Sequence, residues 1–333
     1  MKNLGKTVLI VVDAILSPLV AISAFFLLCY RRVGSHRLLI STKSLEILGL
    51  WPLIRHYYEP RIHVKEKEID FKAIRSLPGI EINLQSQLEF LRSLKYASEL
   101  AGVFHHVGES LGCLKPKSSK LIAIENSSFC SGDAEFLYQF LRATRPCLVI
   151  EIGCGISTQI ISSALERNNE GKFPAKHVCI EPFEAPWLDQ FPGIDLIRCP
   201  LENVETELFE RLQPGDLLFI DSSHIVRPNG DVLSEILEIL PVLREGVNIH
   251  IHDIFTPREY LKEFLVTQKF LWNEQYLLEA FLSCNRDFEI VAALNYLKHE
   301  AFYDLQRVAP FLTTDREPGS IYIKRVGGKS ASV

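Results

Sequence analysis

The chain opens on an almost unbroken apolar run, Thr7 to Tyr30, about 24 residues long. A helix of that length crosses a bilayer. Asp13 is costly in hydrocarbon but lies near one end of the run, and the kink expected at Pro18 is tolerated in membrane helices. Behind it, residues 31 to about 125 are mixed. Ser41 to Leu53 reads as a short amphipathic helix. Gln85 to Val103 carries Leu88, Leu91, Leu94 and Leu100 at helical spacing. His56-Tyr57-Tyr58-Glu59-Pro60 is an aromatic and polar cluster ended by proline, and Lys115 to Lys120 is a basic loop. From Ser131 the pattern becomes regular. A helix starts at Asp133, an N-cap candidate, and runs to about Ala143. Apolar strands follow at Cys147 to Ile152, His177 to Glu181, Ile194 to Cys199, Asp216 to Asp221 and Val247 to Asp253. Helices are expected between them, at Ser157 to Arg167 and at Asp231 to Leu243. Phe288 to Leu294 and Ser320 to Arg325 read as closing strands. This alternation predicts a parallel α/β sheet with helices on both faces. No internal repeat is visible.

Composition narrows the picture. The length of 333 residues suits one large domain or two modest ones, and 47% hydrophobic residues are enough for a sizeable core. The net charge of -5 lacks the basic field of a nucleic-acid binder. Eight cysteines are present and none forms Cys-x-x-Cys, so they read as reduced cysteines of a cytosolic fold. Arg31, Arg32, Arg37 and Lys43 follow the apolar run, while only Lys2 and Lys6 precede it. The excess places the bulk of the chain in the cytoplasm, behind a single-pass anchor. A signal peptide is the main rival, although no small-x-small cleavage site follows the run. A buried helix of the soluble fold is the third reading.

Glu151-Ile152-Gly153-Cys154-Gly155 falls where the first strand hands over to its helix. Glycines there let backbone approach a ligand, and the helix start offers free N–H groups. Glu181 ends the next strand, where a carboxylate can accept from ribose hydroxyls. A dinucleotide site wants a third small residue, but Thr158 stands there, with Ser157 before it. The charge of Glu151 also suits a cationic sulfonium and amino group better than a pyrophosphate. The residues therefore favour S-adenosylmethionine over nicotinamide or flavin cofactors.

Val149-Ile150-Glu151-Ile152-Gly153-Cys154-Gly155 resembles the first motif of class I S-adenosylmethionine-dependent methyltransferases. Cys179-Ile180-Glu181-Pro182 resembles their second motif, and Asp216 to Asp221 their fourth strand. The resemblance spans roughly residues 125 to 325. It implies a Rossmann-like sheet of seven strands, the last antiparallel. It also implies a cofactor site at Glu151, Gly153, Gly155, Ser157, Glu181, Asp221 and, for adenine, Leu201 with Glu202.

Two further segments, Ile220-Asp221-Ser222-Ser223-His224 and His250-Ile251-His252-Asp253, should lie side by side at the carboxyl edge of the sheet, where open α/β folds bind ligands. Alternation puts His250 and His252 on one face. His224 or His252 could act as general base beside Asp221. Alternatively Asp221 and Asp253 could hold magnesium or another divalent metal. The pair resembles magnesium-dependent sugar O-methyltransferases of the macrocin type and cephalosporin-hydroxylase-like proteins. In this chain His252 replaces the first Asp of their strand-five pair, and Ser223 stands where some relatives place a catalytic Asp. His224 is therefore the stronger base candidate. The alternative for His250 and His252 is hydrogen bonding within the sheet.

The resemblance also implies that Ser128 to Asp133 lies over the cofactor and that Trp272-Asn273-Glu274-Gln275-Tyr276 lies near the acceptor. The organisation expected is a membrane anchor at 1–32, a mostly helical extension at 33–125, a methyltransferase domain at 126–326 and a disordered tail at 327–333. The activity expected is O-methylation of a sugar or a glycolipid-linked hydroxyl at the cytoplasmic membrane face. The alternatives are a small-molecule acceptor, or a cofactor-binding scaffold without turnover.

Overall fold

A computed structural model describes residues 2–53, 69–105, 121–126, 128–169 and 175–327. The chain divides into two compact units, one of residues 1–65 with 269–271, the other of 66–268 with 272–333. The second unit thus takes in the segment after 66 that the sequence grouped with an N-terminal extension. The predicted cluster at His56 to Pro60 and the basic loop at Lys115 to Lys120 lie outside the described residues.

In the first unit α1 (Lys2–Val33) is a single helix with Pro18 inside it. Its stretch Val8–Val33 is long and apolar enough to cross a membrane, with a mean hydropathy of 2.4 over 18 of its residues. At 1.5 Å per residue it reaches about 39 Å, more than the ~30 Å of a bilayer core. The side chains from Val8 to Phe26 are exposed. The amphipathic helix expected from Ser41 to Leu53 is instead α2 (Leu39–Ile47). It folds back because Thr42 reaches both Tyr30 Oη, at 2.7 Å, and the Ser35 carbonyl, at 2.8 Å.

The second unit is built on a sheet of seven strands: β3 (Leu148–Ile152), β4 (Lys176–Ile180), β5 (Asp195–Ile197), β6 (Leu217–Ile220), β7 (Asn248–Ile251), β8 (Phe288–Ala293) and β9 (Ile321–Arg325). Their spatial order is β5-β4-β3-β6-β7-β9-β8. β9 runs antiparallel to both β7 and β8, whereas the other pairs are parallel. Alternate residues feed two cores, as a sheet covered on both faces requires. Val149, Leu217, Phe219 and Tyr322 pack towards α4 (Asp133–Thr144) and α5 (Ile156–Asn168). Ile150, Leu218, Ile220 and Ile249 pack on the other face, with Val232, Ile236 and Leu240. The helix expected from Asp231 to Leu243 is three pieces, Asp231–Ser234, a π turn at Glu235–Ile239, and Leu240–Val242. The Asp216 carboxylate accepts from the amides of Cys147, Leu148 and Gln213, which pins the starts of β3 and β6 together.

Two further expectations shift. The helix read from Gln85 to Val103 breaks into α3 (Leu84–Ser93) and a 3-10 segment, Ala97–Gly102. The Tyr96 amide donates to Gln139 of α4 between them, so a tertiary bond replaces a helical one. A two-residue parallel pair, β1 (Phe104–His105) with β2 (Ile122–Ala123), is too short to have left a periodic signal.

Candidate active site

The carboxyl ends of β3, β4 and β6 surround a cavity of about 740 Å³. Its geometry begins with Gly153, at φ 74°, whose amide donates to the Ile180 carbonyl at 3.0 Å. A Cβ at this position would stand 1.8 Å from the Asp221 carbonyl oxygen, so only glycine lets the ends of β3 and β6 meet. Gly155 starts α5, and its amide donates to Thr158 Oγ1 at 3.1 Å. The threonine that breaks the dinucleotide pattern is therefore a helix cap.

The walls carry most of the residues expected to hold a cofactor. Gly153, Gly155, Ser157, Glu181, Leu201, Glu202 and Asp221 all line the cavity. Glu181 accepts from the amides of Phe183, at 2.9 Å, and Glu184, at 2.8 Å, through one oxygen, and from the Cys154 amide, at 3.3 Å, through the other. Ser128 and Phe129 also line it, held by an Asn126 turn in which the side-chain oxygen accepts from both their amides. The sequence reading missed Trp187 and Asp231, which complete the wall.

Glu151 is different. Its carboxylate is fully buried and turns below the glycine turn, accepting from Ser157 Oγ at 2.6 Å and facing His177 Nε2 at 2.8 Å. The negative charge placed near the ligand by the sequence argument is thus directed at a histidine. Burial opposes charge on His177, but its contacts with Cys179 and Glu151 raise its pKa to about 9.

The second cluster sits where β6 and β7 end side by side. His224, at φ 59°, points Nδ1 at Glu274 Oε2, 2.8 Å away, and Nε2 at Asp221 Oδ1, 3.3 Å, and Asp253 Oδ2, 3.8 Å. Its carbonyl accepts from the amides of Asn273 and Glu274, and Asn273 Oδ1 accepts from the Val226 amide. The ring lies 4.3 Å from that of Trp272. Asn273 and Glu274 are therefore a clamp on the His224 segment, while Gln275 accepts from the Phe255 amide and donates to the Arg258 carbonyl. Burial works against an imidazolium here, yet its hydrogen bonds to Asp221 and Glu274 hold His224 well above its ordinary range. Burial likewise raises Glu274 and Asp253, and pushes Glu235 far up beside Glu274 and Asp231. Asp221 resists burial because His252 and His224 face it, and stays below the usual carboxylate value. The carboxylates of Asp221 and Asp253 and an imidazole nitrogen of His224 lie within 4.8 Å of one another, a donor set that fits a hard divalent ion.

His252 is 3% exposed, stacks on Phe129 at 4.6 Å, and faces Ser320 Oγ through Nδ1 at 3.3 Å. It backs Asp253, with Nε2 3.9 Å away, and is not part of the cavity wall. His250 does not hydrogen-bond within the sheet: both ring nitrogens are buried without a partner, and the ring lies flat on Phe219 at 4.2 Å. Asp133 is neither N-cap nor cavity contact. Gly132 holds the cap position and Glu135 accepts from its amide, while Asp133 accepts from the Gly319 amide and Ser320 Oγ. Ser223 gives its hydroxyl to Asp231 Oδ1 at 2.6 Å, so a carboxylate stands beside the position where the sequence lacks one.

Residues 150–254 match a family described as a methyltransferase domain. No curated protein matches the chain. Among solved structures it is similar to the O-methyltransferase TomG of Streptomyces achromogenes, involved in tomaymycin synthesis and determined with S-adenosylmethionine. The identity is 13% over 74% of this chain and 92% of that one, with a TM-score of 0.39. An O-methyltransferase from Bacillus cereus, determined with SAH, is similar at 13% identity over 75% of this chain and 94% of that one, with a TM-score of 0.37. The family match runs from the glycine turn through both edge segments of a seven-stranded sheet closed by an antiparallel strand, so residues 150–254 are similar to a methyltransferase domain.

Proposed function

We propose that the chain binds S-adenosylmethionine in the 740 Å³ cavity and methylates a hydroxyl of a sugar or glycolipid at the cytoplasmic face of a membrane. The observation that carries the reading is the contact of Gly153 with the Asp221 backbone, which opens the α5 N-terminus onto a cavity walled by Glu181, Glu202 and Asp221. Bound there, S-adenosylmethionine supplies an activated methyl group. The chain's own work is positioning and proton handling. In this reading His224 Nε2 takes the acceptor proton while the methyl carbon leaves the sulfonium sulfur and bonds to the acceptor oxygen. Glu274 fixes the ring from behind, and Asp221 and Asp253 compensate the imidazolium. A neighbouring sulfonium disfavours a proton on His224, so cofactor binding favours the neutral, base-competent ring.

A divalent ion held by Asp221, Asp253 and His224 is the competing reading of the same atoms, because a nitrogen that ligates metal cannot also take a proton. When bound, the ion would polarise the acceptor oxygen. Activity retained after chelation favours the base. Activity lost on chelation and restored by magnesium favours the ion.

Calorimetry with S-adenosylmethionine and SAH tests the whole reading. Binding is expected in the wild-type protein and is expected to be lost in Gly153→Ala. No binding by the wild type sinks the proposal. His224→Ala should abolish turnover and leave cofactor affinity nearly unchanged. Turnover is to be assayed on lipid-linked glycans and on free sugars, and preference for the free forms would reassign the acceptor. The membrane location rests on α1 and on the basic residues that follow it, and the intact mass of the purified protein separates an anchor from a cleaved signal.

A further inference from the structure

A second cluster lies beneath the glycine turn, and methyl transfer makes no use of it. β3 and β4 run parallel with Glu151 opposite Cys179, and alternation puts His177 on the same face as Cys179. Cys154 comes down from the turn to join them. The Glu151 carboxylate, Cys154 Sγ and Cys179 Sγ lie within 4.8 Å of one another. His177 Nε2 is 2.8 Å from Glu151 Oε2 and 3.4 Å from Cys179 Sγ, and Cys179 Sγ is 3.5 Å from Glu151 Oε2. Tetrahedral zinc, with bonds of about 2.3 Å to sulfur and about 2.0 Å to nitrogen or oxygen, sets neighbouring donors roughly 3.2 to 3.8 Å apart. The two edges from Cys179 Sγ, to His177 and to Glu151, fall in that range, the Glu–His edge is shortened by its hydrogen bond, and Cys154 Sγ lies within 4.8 Å of the Glu151 and Cys179 donors. The far sides of two ligands are also held: Ser162 Oγ stands 3.5 Å from His177 Nδ1, and Ser157 donates to the other Glu151 oxygen. Glu151, His177 and Cys179 are buried, while Cys154 lines the cavity and gives an ion a way in.

We propose that Glu151, Cys154, His177 and Cys179 form a zinc site under the cofactor turn. Two thiolates and an imidazole select zinc over the harder ions that suit Asp221 and Asp253, so the two sites differ in chemistry as well as in place. Cys154 lies between Gly153 and Gly155, so a zinc bond to its sulfur ties the glycine turn to β4. Zinc occupancy then sets how firmly the turn is held for its ligand. The site goes beyond the methyl-transfer reading and stands or falls independently of it.

The full-length protein, stripped with chelator under reducing conditions, is titrated with zinc and, separately, with cobalt(II). One equivalent of zinc per chain is expected, and cobalt should give the intense visible and thiolate charge-transfer bands of a tetrahedral thiolate site. Cys154→Ser and His177→Gln should weaken zinc by 10-fold or more, and the double variant Cys154→Ser/Cys179→Ser should lose it. Exposed Cys284→Ser should bind as the wild type does. The cobalt spectrum is read on the wild-type protein, so the test holds even where a variant misfolds. Absence of a tetrahedral thiolate spectrum in the wild type overturns the site. So does equal zinc retention by the folded double variant, or a Cys154–Cys179 disulfide as the resident state in non-reduced peptide maps.

Discussion

His224 is held from three directions, and each hold has a separate consequence. Asp221 and Asp253 face Nε2, where a proton or an ion would sit, while Glu274 faces Nδ1 and takes no part in that exchange. Glu274 is fully buried, and its second oxygen has no partner. It is therefore a positioning residue that also raises the His224 pKa, after burial has worked against the charge. A general base acts when neutral, so the rate should climb as pH rises through the raised pKa. Removing Glu274 takes away part of the rise. In Glu274→Gln the climbing limb of kcat/KM should move to lower pH by roughly one unit, with kcat down about 10-fold from lost orientation. A limb that stays in place would leave Glu274 with a packing role alone. None of this was legible in Asn273-Glu274-Gln275 as sequence, because the pairing with His224 crosses 50 positions and depends on the fold.

Among the elements, α4 shows how a buried helix start stores a pH dependence. Glu135, in its first turn, accepts from the amides of Gly132 and Phe311 and is fully buried. Burial raises its pKa from 4.5 to about 7 despite those two bonds. The folded state thus keeps a proton that the unfolded chain releases near pH 4.5. Stability from this group is complete below about pH 4.5 and falls as pH rises through about 7, in all by about 3 kcal/mol at 1.36 kcal/mol per unit. Urea midpoints of wild type and Glu135→Gln, compared between pH 5 and pH 8, should differ in slope, with the variant flatter. Equal slopes would assign the pH dependence elsewhere. The helix itself was readable from its apolar spacing, and so were the strands, because β6 is a continuous apolar run ended by Asp221, β3 is apolar but for Glu151, and β7 alternates Asn248 and His250 with isoleucines. The cap was not. Asp133 has the residue type of an N-cap, but Gly319 and Ser320 compete for its carboxylate, and those partners lie 186 and 187 positions away. Breaks in helices were equally hidden, since the Tyr96 amide leaves its helix for Gln139 on another element.

At the scale of the whole molecule the chain joins an α/β unit to an N-terminal unit that carries a long, exposed apolar helix. α1 has the length and hydropathy of a membrane span, and that much was plain in the sequence. α2 was legible as a helix but not as an exposed apolar surface. Leu39, Ile40, Ile47 and Leu48 are between 69% and 87% exposed, and Trp51, half exposed, lies under the Arg31 guanidinium at 5.2 Å. Apolar and aromatic groups beside Arg37 and Lys43 have the composition of an interfacial helix. Two consequences follow for shortened chains. A chain starting at residue 34 should purify without detergent yet still float with vesicles. Its preference for anionic over neutral lipid should be about 30-fold at low salt, since Arg37 and Lys43 contribute about 1 kcal/mol each near a charged surface. A chain starting at residue 69 should not float at all, while binding S-adenosylmethionine as the full chain does. Full-length protein that stays in solution without detergent would remove the anchor. A chain from residue 34 that ignores vesicles would leave α2 outside the membrane interface and α1 as the sole attachment.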